Sequence, residues 1–174
     1  MAEIVNTYMQ SIPAMRFIGK KYGDDDRING NFSEKWMEWF KNNWFSTIEK
    51  QISVNIDEIY KDNDAYIGLM RWKEGEPFEY WIGIFTPGTT PVPEGFKYVD
   101  FPKSVLGVCW VYGKEGDVYV KEDKCAAKLG EEGYKIIPDE KGAWWFFERY
   151  ACPRFTTPDD SGNIILDICH YIEL

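Results

Sequence analysis

The sequence predicts an α+β protein built from a duplicated βαββ unit, with antiparallel sheets forming a concave cleft and helices packed on the outer face. Three observations point there. Two short apolar runs each begin at a proline, Pro13 and Pro102, and each end at a Tyr-Gly pair, Tyr22-Gly23 and Tyr112-Gly113. A stretch of helical periodicity and then two strand-like segments follow each run. Between the two passes, Pro87 to Gly95 holds three prolines and two glycines, the composition of a connector. The 174 residues therefore read as one domain over 1–174, with a pseudo-repeat over about 13–86, a linker over 87–101 and a second pseudo-repeat over about 102–174.

The first strand is Pro13-Ala14-Met15-Arg16-Phe17-Ile18-Gly19, and an acidic, glycine-bearing loop runs from Asp24 to Gly30. Asn31 and Glu34 stand at capping-box spacing. Trp36, Phe40, Trp44 and Ile48 recur every fourth residue, with Met37 and Phe45 beside them, predicting one amphipathic helix of about five turns packed on the sheet. After the polar break Lys61-Asp62-Asn63-Asp64, Ala65 to Trp72 is rich in strand formers. Glu74-Gly75-Glu76-Pro77 is a turn and Phe78 to Thr86 the returning strand of a hairpin.

The second pass repeats this order. Pro102 to Trp110 is a strand, and Gly116 to Leu129 places Val118, Cys125, Ala126 and Leu129 on one helical face. Ala143 to Cys152 is an aromatic strand, Asp159-Asp160-Ser161-Gly162 a loop, and Ile164 to Ile172 the closing strand. Helices on one face of an antiparallel sheet leave the other face to be covered. Two halves curving around a shared cleft would cover it.

Composition removes several function classes. Twenty Lys and Arg against twenty-nine Asp and Glu give a formal charge of −9, which repels phosphate backbones and anionic membranes. Lys20-Lys21, the most basic stretch, is followed at once by Asp24-Asp25-Asp26. Direct nucleic-acid binding and membrane association are therefore not expected. No apolar run is long enough to span a bilayer, and Met1 to Asn6 lacks the basic and apolar regions of a secretory signal, so a cytoplasmic protein is expected. Cys109, Cys125, Cys152 and Cys169 show no zinc-ligand spacing and are expected as four reduced, mostly buried thiols. His170 is the single histidine. Without a GxSxG motif it supports no nucleophilic triad, and it reads as a structural strand residue rather than a haem ligand. No GxGxxG or GxxxxGK[ST] sequence cradles a nucleotide, and neither acidic loop matches an EF-hand. No metal and no cofactor are expected.

Aromatic residues make up 17% of the chain, an excess that suits a cavity for a flat or greasy ligand. Alternation along the aromatic strand puts Trp144, Phe146, Glu148 and Tyr150 on one face and Trp145, Phe147, Arg149 and Ala151 on the other. Read from the residues alone, Glu148 is either a carboxylate among aromatic rings in a pocket or an edge-strand glutamate paired with a surface cation.

Four segments give the chain a resemblance to the GyrI-like small-molecule-binding family, which includes effector domains of multidrug-responsive transcription activators. Pro13 to Gly19 resembles that family's first strand and Phe78-Glu79-Tyr80-Trp81-Ile82-Gly83 its third. Val92-Pro93-Glu94-Gly95-Phe96 with Val99-Asp100-Phe101-Pro102 resembles the mid-chain linker. Trp145 to Tyr150 with the closing strand resembles the aromatic "E-x-Y" ending. The resemblance implies two βαββ units around a concave ligand pocket that takes hydrophobic, often cationic, aromatic compounds against a buried glutamate, which by motif position is Glu148. Leu166 to Tyr171 departs from the family's apolar-proline ending, and only twelve residues precede Pro13, too few for a helix-turn-helix.

The expected ligand-binding residues are Glu148, Phe146, Tyr150, Trp144, Trp110, Tyr112, Tyr80, Tyr66, Met70 and Trp72. The rings would hold a flat cation by stacking and cation–π attraction while Glu148 supplies the counter-charge. The expected function is small-molecule binding, serving drug or toxin sensing or sequestration. One alternative is hydrolysis of electrophilic cyclopropane-type compounds, with Glu148 acting on a water and Tyr80 or Tyr150 donating to the developing anion. Another is an acidic protein-partner module such as a gyrase modulator. Oligomeric state and any separately encoded DNA-binding partner are not legible in the sequence.

Overall fold

The structure, a computed structural model, describes residues 1–174. Its strands are β1 (Glu3–Ile12), β2 (Met15–Tyr22), β3 (Tyr66–Trp72), β4 (Glu79–Pro87), β5 (Lys97–Phe101), β6 (Ser104–Gly113), β7 (Trp144–Tyr150) and β8 (Ile164–Ile172). The helices are α1 (Ser33–Lys41), α2 (Trp44–Glu49), α3 (Glu115–Val118) and α4 (Glu122–Glu131). All eight strands form one antiparallel sheet in the order β1-β6-β8-β7-β3-β4-β2-β5. The expected α+β class and antiparallel sheet are both present. The two halves contribute the equivalent trios β6-β8-β7 and β2-β4-β3, which meet at the β7–β3 pair.

Two strands lie outside the predicted repeats. β1 occupies residues before Pro13, and β5 lies within the expected connector. These two set the shape of the sheet. Only Pro13 and Ala14 separate β1 from β2, yet they are first and seventh in the order. Only Pro102 and Lys103 separate β5 from β6, which are eighth and second. Such a link spans at most about 11 Å between flanking Cα atoms. The sheet must therefore curl until its edges meet.

Its inner face then covers itself. Phe85 of β4 packs on Phe147 of β7 with ring centroids 5.1 Å apart, although β3 lies between those strands. Phe101 of β5 stacks on Tyr171 of β8 at 5.2 Å. Phe17, Leu69 and Trp81 join the same cluster.

The helices lie on the outer face in two layers. Trp39, Phe45 and Ile48 pack on Ile18, Ile82 and Ile84, while Val118, Cys125 and Leu129 pack on Cys109, Val111, Leu166 and Ile168. Burial of each large apolar side chain contributes about 1.5–3 kcal/mol. β3 and β7 run between the layers.

Four expectations are corrected. The single five-turn helix is two helices, because Asn43 takes a left-handed conformation (φ 52°) that an Asn tolerates. The break changes which side faces inward: Trp39 is fully buried, whereas Phe40 of the predicted stripe is 56% exposed. Phe32 rather than Asn31 holds the N-cap position of α1, so the Asn31–Glu34 capping box does not form; Asn31, one residue earlier, accepts from the Ser33 N–H at 3.0 Å. The second predicted helix is likewise two, α3 and α4, interrupted at Val120 with φ 58°. Finally, the four cysteines are not all thiols. Cys109 and Cys125, with Cα atoms 5.9 Å apart, form a disulfide tying α4 to β6. Cys152 is exposed, and Cys169 is buried with its thiol pushed up to about 12, mainly by that burial.

A charged network fills one region of the inner face. Arg149, fully buried, donates from Nε to Asp167 at 2.7 Å and from Nη1 to Gln10 and Tyr60. Asp62 pairs with Arg149 and Arg154 at 3.3 and 3.0 Å. Burial raises the Asp62 carboxyl, but Arg149, Gln10 and Arg154 outweigh it and hold the group below its usual range. Two guanidinium groups face two carboxylates here. The balance of charge marks a structural plug. No helix is long and apolar enough to cross a membrane.

Candidate functional site

Between the two helical layers the outer face of the sheet is carried by the central strands β3 and β7. Glu148 of β7 stands opposite Gly68 of β3 and Ile168 of β8. Strand alternation sends it to the outer face, while its neighbours Phe147 and Arg149 point into the curl. A glycine opposite the glutamate leaves a space that Tyr80 of β4 fills: a Cβ at Gly68 would lie 2.6 Å from the Tyr80 hydroxyl.

The first half supplies an aromatic wall. The ring of Tyr80 stacks parallel on Phe32 at 4.2 Å, and its hydroxyl accepts from Trp36 Nε1 at 2.9 Å. Trp36 meets Tyr150 edge-on at 4.9 Å. The hydroxyl of Tyr150 in turn donates to Glu148 Oε2. Burial pushes the hydroxyls of Tyr80 and Tyr150 up, and the Glu148 carboxyl adds to the effect, so both stay protonated.

The second half supplies a cover. The Val120 backbone N–H and the carboxyl of Glu122, in the first turn of α4, both lie against the Glu148 carboxyl, the first favouring its charged form and the second opposing it. Val120 is a β-branched residue in the left-handed region and is 84% exposed. That conformation costs about 1–3 kcal/mol and is held only where the surroundings impose it. The carbonyl of Glu122 also faces His170 Nε2 at 3.2 Å, and the His170 ring stacks on Phe146 at 5.6 Å. Burial lowers the affinity of His170 for a proton, leaving it a neutral strand residue.

Glu148 is only 8% exposed and no cation approaches it. Its carboxyl is held well above the usual range, first by burial and then by Glu122, against the opposing bonds from Tyr150 and Val120. Burying an ionised carboxylate without a base is unfavourable by several kcal/mol. A permanent cation brought against it would relieve that cost. Rings of Trp36, Tyr80 and Tyr150 beside the carboxyl would attract the same cation by their faces.

Of the residues singled out from the sequence, Glu148, Tyr150 and Tyr80 come together. Tyr66 stands opposite Tyr150 but stacks on Phe45 at 3.7 Å. Phe146 and Met70 face each other one row away on the same side, and Trp144 and Trp72 pair at the strand ends, where Trp72 is 48% exposed. Trp110 and Tyr112 do not join this cluster. Trp110 pairs with Asp167 in register, which places both it and Tyr112 on the other parity of β6. Trp110 lies edge-on to Tyr8 at 5.8 Å with Arg154 over its ring at 5.2 Å, and Tyr112 bonds Asp159 and Asn163.

Gly68, Val120 and Glu122 were not among the residues expected from the sequence, while Trp36 packs on the sheet as expected and also reaches Tyr80. Gly68 carried a usable signal, since glycine inside a strand marks a close approach. Glu122 carried none, because it is one of many acidic residues on a solvated helix.

No protein-family model matches the chain, and no curated protein matches it. Solved structures do. SAV2435 bound to tetraphenylphosphonium aligns with a TM-score of 0.65 at 12% identity, over 97% of this chain and 94% of that one. EcmrR, in a complex with DNA, aligns with a TM-score of 0.57 at 12% identity over 97% of this chain and 57% of the EcmrR chain. A hydrolase encoded by lin2189 from Listeria innocua aligns at 0.53 and 11% identity, over 97% and 92%. At these identities the likeness is one of fold, and the chain has the curled α+β fold of SAV2435 and of part of EcmrR, in agreement with the GyrI-like architecture implied by its sequence motifs.

Proposed function

We propose that this chain is a GyrI-like small-molecule-binding protein that takes hydrophobic, aromatic cations between its two helical layers, with Glu148 as the counter-charge, for sensing or sequestration. One observation carries the reading: Glu148 is buried with a hydroxyl, a backbone N–H and a second carboxyl as partners, and with no base. The fold-level likeness to a protein bound to tetraphenylphosphonium supports the ligand class. The exposed apolar side chains of Phe40, against Trp36, and of Val120, beside Glu148, suit the approach of a greasy ligand. Titration with tetraphenylphosphonium, read by Trp fluorescence, tests it. Quenching that weakens at least about tenfold, or 1.4 kcal/mol, in Glu148→Gln is expected. Equal affinity in both proteins would remove Glu148 from the site.

A second reading keeps the residues and adds hydrolysis of an electrophilic cyclopropane-type compound. The contact between Glu122 and Glu148 favours it, because two carboxyls sharing a site hold one proton and offer an acid beside a base. Mass spectrometry separates the readings: a bound compound recovered unchanged marks a binder, and one recovered with the elements of water marks a hydrolase.

A further inference from the structure

The two helical layers are fastened to the sheet by different means. In the first half, α1 and α2 bury Trp39, Phe45 and Ile48. In the second half, α4 buries only Cys125 and Leu129 along its ten residues, and Cys125 is covalently tied to Cys109 of β6. A helix with so little apolar contact relies on its tie.

That tie and Glu148 lie in one row. Gly68, Glu148, Ile168, Cys109 and Thr7 stand opposite one another across β3, β7, β8, β6 and β1. Glu148 and Cys109 are therefore two strands apart, about 10 Å at the usual spacing. α4 runs over the same row. Glu122 at its start lies against Glu148. Cys125 is bonded to Cys109, its sulfur 3.6 Å from the Ile168 carbonyl oxygen. Glu132, just past the end of the helix, accepts from the Thr7 hydroxyl. Leu129 packs over Gly107, where a Cβ would lie 3.0 Å from it. The disulfide is thus about one helical turn from Glu122. With the bond closed, lifting Glu122 off Glu148 means unwinding the first turn of α4. With the bond open, α4 can tilt as a body about Leu129.

We propose that the Cys109–Cys125 disulfide is a redox latch on the cover of Glu148: closed, it holds α4 over the carboxyl, and opened by a dithiol it lets α4 tilt away and admit the cation. The latch rests on the reading of Glu148 as the cation site. In the opening step the S–S bond breaks, each cysteine sulfur takes up one electron and one proton from the dithiol, and the dithiol closes to its own disulfide. Both cysteines are fully buried. A reductant reaches the bond only while α4 is lifted, so a bound cation that keeps it lifted speeds the reduction.

Tetraphenylphosphonium affinity, read by Trp fluorescence, is compared between the oxidised chain, the same chain after a dithiol, and Cys125→Ala. Alkylation in denaturant identifies the forms, since only Cys152 and Cys169 are free in the oxidised chain. The reduced chain is expected to bind at least about fivefold more tightly than the oxidised one. Cys125→Ala should match the reduced chain and ignore the dithiol. Hydrogen exchange is followed on the same samples without ligand. Reduction should speed exchange of the amides from Cys125 to Glu131 and leave those of β7 and β8 unchanged. Equal or weaker binding by the reduced chain, with Glu148→Gln weakening both forms, overturns the latch and leaves the site standing. Absence of binding in both forms overturns the site, and exchange then decides whether the bond holds α4 down. The latch is also overturned if reduction leaves exchange in α4 unchanged, or raises it equally across the whole sheet.

Discussion

Gly68 and Glu148 stand directly opposite each other on the two strands where the halves of the sheet meet. The missing side chain on β3 and the buried carboxylate on β7 are two parts of one site. The space above Gly68 belongs to the Tyr80 hydroxyl, which Phe32 and Trp36 hold in place.

Gly68→Ala is therefore a test of the aromatic wall. Its Cβ would sit 2.6 Å from the Tyr80 hydroxyl. Tyr80 cannot swing aside without losing its stack on Phe32 and its bond from Trp36 Nε1. Overpacking of this kind destabilises by about 1–3 kcal/mol. Thermal unfolding should show Tm lower by about 2–4 °C per kcal/mol, with weaker binding of tetraphenylphosphonium. An unchanged Tm would show that Tyr80 is loosely held.

Glu148→Gln should stabilise the free protein in a pH-dependent way. Burial and Glu122 raise the folded-state affinity of Glu148 for its proton, so between the ordinary carboxyl range and the raised folded value the native state holds a proton that the unfolded state has lost. Stability then falls as pH rises through that window. The groups facing this carboxyl, Glu122, Tyr150, Tyr80 and Tyr119, include no base that would reverse the sign. Denaturant unfolding should show the variant and wild type alike near pH 4, with the variant increasingly more stable toward neutral pH. A variant less stable than wild type at pH 7 would contradict the burial of an unpaired carboxyl.

Val120→Gly probes the cover of the site. Val120 is 84% exposed, so little packing is lost, and glycine occupies φ 58° without strain. A gain of about 1 kcal/mol is expected, visible as a Tm rise of about 2–4 °C. Destabilisation would mean that the valine side chain makes contacts worth more than the strain.

The inner network predicts a large loss in Arg149→Met. Asp167 is fully buried and would keep Arg154 as its single basic partner. Breaking one side of a buried pair costs about 3–5 kcal/mol. Urea unfolding should show the unfolding free energy fall by that amount, seen as a lower midpoint at unchanged slope, with ligand affinity at Glu148 little changed, because the two groups leave β7 on opposite faces.

Much of this fold is legible in the residues, and the losses have identifiable physical causes. The βαββ order is carried by local periodicity, so the central strands and their faces follow from the chain. Alternation on β7 correctly separates Glu148 from Arg149. Pairing across the sheet is not local: nothing in Glu3 to Ile12 announces a partner as distant as β6, and that pairing sets the curl. The parity of β6 depends on it as well, which is why Trp110 and Tyr112 were expected beside Glu148 and lie elsewhere. The helix break at Asn43 is a single-residue event within an intact periodic stripe, which is why residues 36–48 read as one helix.

The most direct test of the central claim is the crystal structure of the protein with tetraphenylphosphonium. The account predicts the phosphonium between the Glu148 carboxylate and the rings of Trp36 and Tyr150, with the segment around Val120 displaced outward. A structure in which Glu148 stays sealed beneath Val120 and Glu122, with the cation absent or bound elsewhere, would contradict it.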